Sequence, residues 1–129
     1  MLAFIVNTFN EIIYKACERY GSEEGVEVSD IQVLFTLDDE GEVNYTLLKK
    51  YNPLKQVTFN QILNVRIDFK GYSQLVPPFI QKTLIEYGEK LETNPTQLMV
   101  MCVVKGKNNI GLFLYKDKKP IEEIILEDL

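Results

Sequence analysis

The sequence predicts an α+β domain in which an antiparallel sheet of about five or six strands carries two amphipathic helices on one face. Three observations lead to this prediction. Apolar residues recur at helical spacing in two stretches, they alternate in several others, and the order of these stretches occurs twice along the chain. A chain of 129 residues has the length of one ordinary domain, so we take 1–129 as a single unit.

The two helices are predicted from stripes of apolar residues at three- and four-residue steps. The first stripe runs from Leu2 to Tyr20, and Gly21 is a natural C-terminal stop. The second begins after Pro78, continues to Leu91 and ends at the sequence TNPT. Basic side chains do not dominate the polar face of the first helix, which indicates packing onto a core rather than onto a membrane.

Strands are predicted where apolar side chains occupy every second position. Residues 31–37 and 43–47 alternate in this way around a polar segment that contains glycine, which is typical of a hairpin. Residues 98–104 are apolar throughout, as in a central strand covered on both faces, and IGLFLY follows as its partner. VRIDF also alternates, whereas 53–63 and 120–129 fit either a strand or a short helix.

A shift of 67 positions aligns the chain with itself. Helix, strand, turn, second strand and proline then coincide, and Tyr20 and Gly21 fall on Tyr87 and Gly88. We therefore consider two half-repeats, 1–62 and 79–129, which 63–78 would join. Each half would be a helix, two strands and one further element.

Charge is distributed in blocks along the chain, whose net charge is −5. Residues 18–42 contain nine acids and one base, whereas 43–82 and 105–119 are basic, and the last ten residues contain four acids and no base. Two interpretations of this segregation stay open: a directional field that steers a partner, and a casual clustering of loop charges. A net negative chain gains little from phosphate contacts, so general nucleic-acid binding is not expected.

Conventional enzyme chemistry finds few of its usual residues here. Histidine is absent, Cys17 and Cys102 lack metal-ligand spacing, and no glycine-rich phosphate loop precedes a helix. Asp68, the acid most embedded in a strand pattern, shares its strand face with basic residues. We therefore predict a non-catalytic protein without a cofactor or a metal site.

The candidate site is an acidic patch that would bind a basic surface on another protein. The turn at 38–42 corresponds in the repeat to the basic turn KGKNN, so we expect its carboxylates to be free of a structural role. The acidic turn also lacks the ligand spacing of a calcium loop. The patch comprises Glu23, Glu24, Glu27, Asp30, Asp38, Asp39, Glu40 and Glu42, and secondary contacts are assigned to Tyr45, Tyr115, Glu122 and Glu123.

In size, acidity and order of elements the chain resembles small toxin-immunity proteins and phage anti-defence inhibitors. It also resembles type III secretion chaperones, although these close with a third helix where this chain has only IEEIILEDL. The first resemblance implies a stoichiometric inhibitor, and the second implies a binding protein for a secreted partner.

Our leading hypothesis is a small acidic inhibitor or antidote that caps a basic surface of a cognate protein. Two alternatives stay open, a secretion-chaperone-like binding protein and a small-ligand domain with a pocket between helices and sheet. A homodimer through sheet edges is also considered. Without a signal peptide or a membrane-spanning segment in the sequence, we expect a cytoplasmic protein.

Overall fold

The computed structural model describes residues 2–57, 76–117 and 119–124. Over these residues the chain forms two α-helices, two single-turn 3₁₀ helices and six strands, which confirms the α+β class and a sheet of about six strands. In chain order the elements are α1 (Leu2–Glu24), η1 (Val28–Asp30), β1 (Ile31–Leu37), β2 (Val43–Lys49), β3 (Asn52–Val57), α2 (Val76–Lys90), η2 (Pro95–Gln97), β4 (Leu98–Gly106), β5 (Asn109–Lys116) and β6 (Lys119–Ile124).

The sheet has the strand order β3-β2-β1-β4-β5-β6, and every neighbouring pair is antiparallel. Each half of the chain therefore contributes three consecutive strands joined by short turns. The two halves meet where β1 pairs with β4 at the centre of the sheet. The apolar run at 98–104 thus forms a central strand, as its composition predicts.

The register of the central pair has two-fold symmetry. Leu34 lies opposite Met101, which is the residue 67 positions later in the chain. The pairs on either side, Gln32 with Val103 and Thr36 with Met99, are exchanged by the same shift. The shift also relates η1 to η2 and the start of β1 to that of β4. The repeated order of elements that the sequence shows therefore corresponds to repeated geometry.

The hydrophobic core fills the space between both helices and one face of the sheet, which we call the inner face. Phe35 in β1, Val100 in β4, Ile12 in α1 and Leu84 in α2 are all 0% exposed. They belong to one continuous cluster of buried side chains. Both helices therefore pack on the same face, as predicted from their apolar stripes.

The predicted stop of the first helix is wrong by one turn. Helix α1 continues through Gly21 to Glu24, and Gly25 adopts the left-handed conformation with φ +70° that ends it. A Cβ at Gly21 would lie 3.1 Å from the carbonyl oxygen of Val26, so this glycine admits the returning backbone. Its role is close approach rather than helix termination.

The two ambiguous segments form strands where the structure describes them. Within 53–63 the residues up to Val57 belong to β3, and within 120–129 those up to Ile124 belong to β6. The remainder of both segments and the VRIDF pattern lie outside the described residues. Neither of the described helices, α1 or α2, has the length and apolar character needed to cross a bilayer.

The two outer strands carry features that disfavour pairing with another sheet. Proline is the second residue of both β3 and β6, at Pro53 and Pro120. Each strand also has a register shift against its neighbour. Proline removes a backbone donor and a bulge twists the edge away, which are common protections of exposed edges. A homodimer through sheet edges would have to form despite both.

Candidate functional site

The eight predicted patch acids fall into two groups at opposite ends of β1. We call Glu23, Glu24, Glu27 and Asp30 the helix-end group, and Asp38, Asp39, Glu40 and Glu42 the corner group. Strand β1 has seven residues and separates the groups by roughly 20 Å at about 3.3 Å per residue. The single patch predicted from the sequence is therefore two separate acidic sites.

Asp38 organises the corner between β1 and β2. Its Oδ1 accepts hydrogen bonds from the backbone amides of Glu40 at 3.0 Å and Glu42 at 2.9 Å. Its Oδ2 accepts one from the side-chain amide of Asn44 at 3.0 Å. The Asp38 backbone closes the same turn, with its amide donating to Glu42 and its carbonyl accepting from Gly41. The carboxylate thus satisfies donors that the turn leaves unpaired.

These contacts correct the expectation that all four corner carboxylates are free of a structural role. The hydrogen bonds from the Glu42 amide and the Asn44 side chain lower the pKa of Asp38 below its ordinary value of 3.8. Lys105 occupies the matching position of the other hairpin, so the two turns are built differently. Asp38 therefore stabilises the conformation of the corner, and the acids available to contact a partner are Asp39, Glu40 and Glu42.

We expect Asp38→Ala to lower the free energy of unfolding at pH 7, whereas Asp39→Ala leaves it nearly unchanged. The pKa of Asp38 is lower in the folded state than in the unfolded state. The ionised carboxylate therefore adds its full contribution to the free energy of unfolding above the unfolded pKa, and this contribution is lost as pH falls through the folded pKa. Urea unfolding of both variants from pH 7 to pH 2 measures this. The difference in free energy of unfolding between the two variants should become smaller below pH 3.8. A difference that stays constant with pH would contradict the structural role of the Asp38 carboxylate.

The remaining corner acids are displayed on a fixed backbone. Gly41 adopts φ +82°, and its carbonyl oxygen accepts a 2.8 Å hydrogen bond from the side-chain amide of Gln81 in α2. Asp39, Glu40 and Glu42 are exposed. Among the described residues, no lysine or arginine lies within 4.0 Å of these three carboxylates. Within the described part of the chain, the corner therefore presents three carboxylates without an ion pair on a turn that hydrogen bonds hold in place.

The helix-end group is partly neutralised within the chain. Glu23 pairs with Arg19 at 2.9 Å, and Glu24 lies 3.7 Å from Lys49. Such exposed pairs contribute little stability, but they reduce the charge available to a partner. Of the four acids, Glu27 and Asp30 have no side-chain hydrogen bond or ion pair among the described residues, and Glu27 does not cap η1.

An open cleft of about 590 Å³ lies at the helix-end group. The end of α1, the connection to η1 and the turn between β2 and β3 enclose it. The lining residues are Glu18, Ser22, Gly25, Val26, Glu27, Val28, Asp30 and Lys50. Three of these eight carry a carboxylate and one carries an ammonium group, so the cleft is electronegative.

The turn beside this cleft holds an exposed aromatic residue that the sequence analysis does not assign to the site. Tyr51 is 62% exposed and has φ +67°, and Lys50 before it has φ +49°. Bulky residues are strained in this conformation. Two hydrogen bonds fix the turn, from the Tyr51 amide to Oε1 of the buried Gln32 at 2.8 Å and from the Lys50 amide to the Asp30 carbonyl at 2.7 Å.

Three of the four predicted secondary contacts, Tyr115, Glu122 and Glu123, lie in β5 and β6, away from the strand β1 that separates the two acidic groups. Tyr115 is half-buried in β5 opposite Met99, and Tyr45 contributes its backbone to β2 while its side chain lies outside the described part. Glu122 and Glu123 are in the outer strand β6, and Glu123 forms an ion pair with Lys105. These three predicted contacts are on paired strands, whereas Tyr45 in β2 is separated from them by β1 and β4.

The cysteine thiols and possible metal-binding clusters are the remaining candidate sites. Both cysteines are buried, and desolvation raises the pKa of Cys17 to about 12 and that of Cys102 well above its ordinary value. Over the described ranges, no three cysteine or acidic side chains are grouped so as to hold a metal ion.

Comparison of the chain with protein-family models, with curated proteins and with solved structures found no match.

Proposed function

We propose that this chain is a non-catalytic protein-binding module, a small acidic inhibitor that caps a basic surface of a cognate protein. The observation that carries the proposal is the corner group. Asp39, Glu40 and Glu42 are exposed, form no ion pair with other described residues, and lie on a turn that Asp38 and Gln81 hold in place. A binding surface that is already ordered loses less conformational entropy when a partner docks.

Electrostatics supports a protein partner with a basic patch. The corner places like charges on one short turn, which accelerates encounter with an oppositely charged surface and suppresses binding to acidic ones. The sequence contains no histidine, the residue that most often acts as a general base, and this also favours binding over catalysis. Inhibition follows if the basic patch on the partner is its working surface.

The two alternative functions have less support. Among the described residues, the buried side chains of α1, α2 and the inner face form one continuous cluster, which does not favour a pocket between helices and sheet. In the secretion-chaperone comparison, the place of the closing third helix is taken by strand β6 as far as Ile124. The inhibitor hypothesis therefore has the most support.

The test begins with affinity capture from the native host, followed by titration of the purified partner. The variant Asp39→Lys/Glu40→Lys/Glu42→Lys should weaken the complex on the order of tenfold or more, because three attractions become repulsions. Its affinity should also depend less steeply on salt than that of the wild type. Stoichiometric addition of the wild-type chain should reduce the activity of the partner.

A matched control separates position from net charge. Glu86 and Glu89 in the last part of α2 and Glu92 just after it are exposed, and their reversal to lysine changes the net charge by the same amount. This control should bind like the wild type. If both triple variants bind the partner equally weakly, or if the corner variant binds it as tightly as the wild type, the proposal is wrong.

A further inference from the structure

The helix-end cleft has a composition that distinguishes it from a plain acidic surface. Val26 and Val28 are half-buried and pack against the core, so the cleft has apolar walls as well as charged ones. The carboxylates of Glu18, Glu27 and Asp30 line it. Helix α1 ends beside it at Glu24, and a helix C-terminus adds partial negative charge.

The second half of the chain shows what this backbone corner needs for its own stability. At the positions 67 residues later, the backbone hydrogen bonds are the same: Val26 to Gly21 corresponds to Thr93 to Gly88, both 2.9 Å. There, however, the side chains satisfy one another. The Thr93 hydroxyl donates to Gln97 Oε1 at 2.9 Å.

Asn94, the counterpart of Glu27, completes this difference. Its Oδ1 accepts hydrogen bonds from the amide and the hydroxyl of Thr96, both at 3.0 Å. Pro95 takes the place of Val28 and contacts the helix at Gly88. The same corner can thus be built with internally paired polar groups. The unpaired carboxylates of the first half are not required by the backbone, which leaves them available to a ligand.

We propose that the helix-end cleft binds a long basic side chain, arginine or lysine, of the partner protein. The aliphatic stem of such a side chain suits the walls formed by Val26 and Val28, and its cationic head suits the carboxylates of Glu27 and Asp30. Tyr51 follows the cleft residue Lys50 on the same turn and is exposed, although it does not itself line the cleft. This inference rests on the proposed function, because it assigns the partner a second basic contact.

The test uses a small probe and requires no partner. Acetyl-arginine amide is titrated into the isotope-labelled chain and followed by two-dimensional NMR, with acetyl-citrulline amide as a neutral probe of nearly the same shape. We expect saturable shifts at the amides of Ser22, Val28 and Lys50 with a dissociation constant on the order of millimolar. Acetyl-lysine amide with a free ε-ammonium group should shift the same amides, and citrulline should not.

Two variants assign the effect. Glu27→Gln/Asp30→Asn should weaken arginine binding at least about fivefold, and Asp39→Asn/Glu40→Gln, which removes two charges at the corner, should leave it unchanged. Equal shifts with citrulline, or shifts distributed over both acidic groups without saturation, would overturn the proposal. Failure of this titration leaves the corner-reversal test of the proposed function intact, and failure of that test leaves the probe result standing.

Discussion

Replacing Phe35 by alanine is expected to lower the free energy of unfolding by about 3–5 kcal/mol, the range for removing a buried aromatic side chain. Phe35 is 0% exposed and lies in β1, between β2 and β4 at the centre of the sheet. Its ring centroid is 6.5 Å from that of Phe9 in α1. The substitution would therefore open a cavity where helix and sheet meet, and surrounding strands held on both sides have little freedom to collapse into it.

Urea unfolding at pH 7 measures the effect, with Phe35→Leu and Thr36→Ala as controls. Leucine retains much of the apolar volume and should cost clearly less than alanine. Thr36 is the next residue of the same strand and is only half-buried, so its truncation should change stability by about 1 kcal/mol or less. A similar loss for Phe35→Ala and Thr36→Ala would mean that the inner face is not the core.

Periodicity alone identifies most of the fold because it records which side of each element is buried. Ile31, Val33 and Phe35 alternate in the sequence, and all three are 0% exposed on the inner face. The shift of 67 also has a physical basis, since Leu34 and Met101 pair across the symmetry axis. The segments that periodicity left open, 53–63 and 120–129, have mixed spacing, and pairing with β2 and β5 decides their described parts, as far as Val57 and Ile124, in favour of strands.

The site was less predictable because position in the chain is a poor guide to position in space. Glu27 and Asp38 belong to one acidic block of the sequence, yet β1 carries them to opposite ends of the sheet. The role of Asp38 depends on backbone amides that converge only once the turn has formed. The cleft is likewise formed by residues distant in the chain, since Glu18 in α1 and Lys50, twenty positions after Asp30, both line it.

Gly88→Ala is expected to lower the free energy of unfolding by roughly 1–2 kcal/mol, and Gly21→Ala should change it much less. Alanine in a helix gains up to about 1 kcal/mol over glycine in propensity, and overpacking costs about 1–3 kcal/mol. A Cβ at Gly88 would lie 2.9 Å from the carbonyl oxygen of Thr93 and 2.9 Å from Cγ of Pro95. At Gly21 the nearest atom, the carbonyl oxygen of Val26, is 3.1 Å away.

The comparison tests whether the repeated tyrosine and glycine pair serves the same packing in both halves. Gly106→Ala is the control, because its Cβ would meet nothing closer than 3.9 Å and should be tolerated. Urea unfolding of the three variants should rank Gly88→Ala as the most destabilising. A reversed order of Gly88 and Gly21 would show that proline and threonine in the second corner yield more easily than the backbone of the first. The tighter contact at Gly88 belongs to the corner whose polar groups are internally paired, and the looser contact at Gly21 belongs to the corner that holds the cleft.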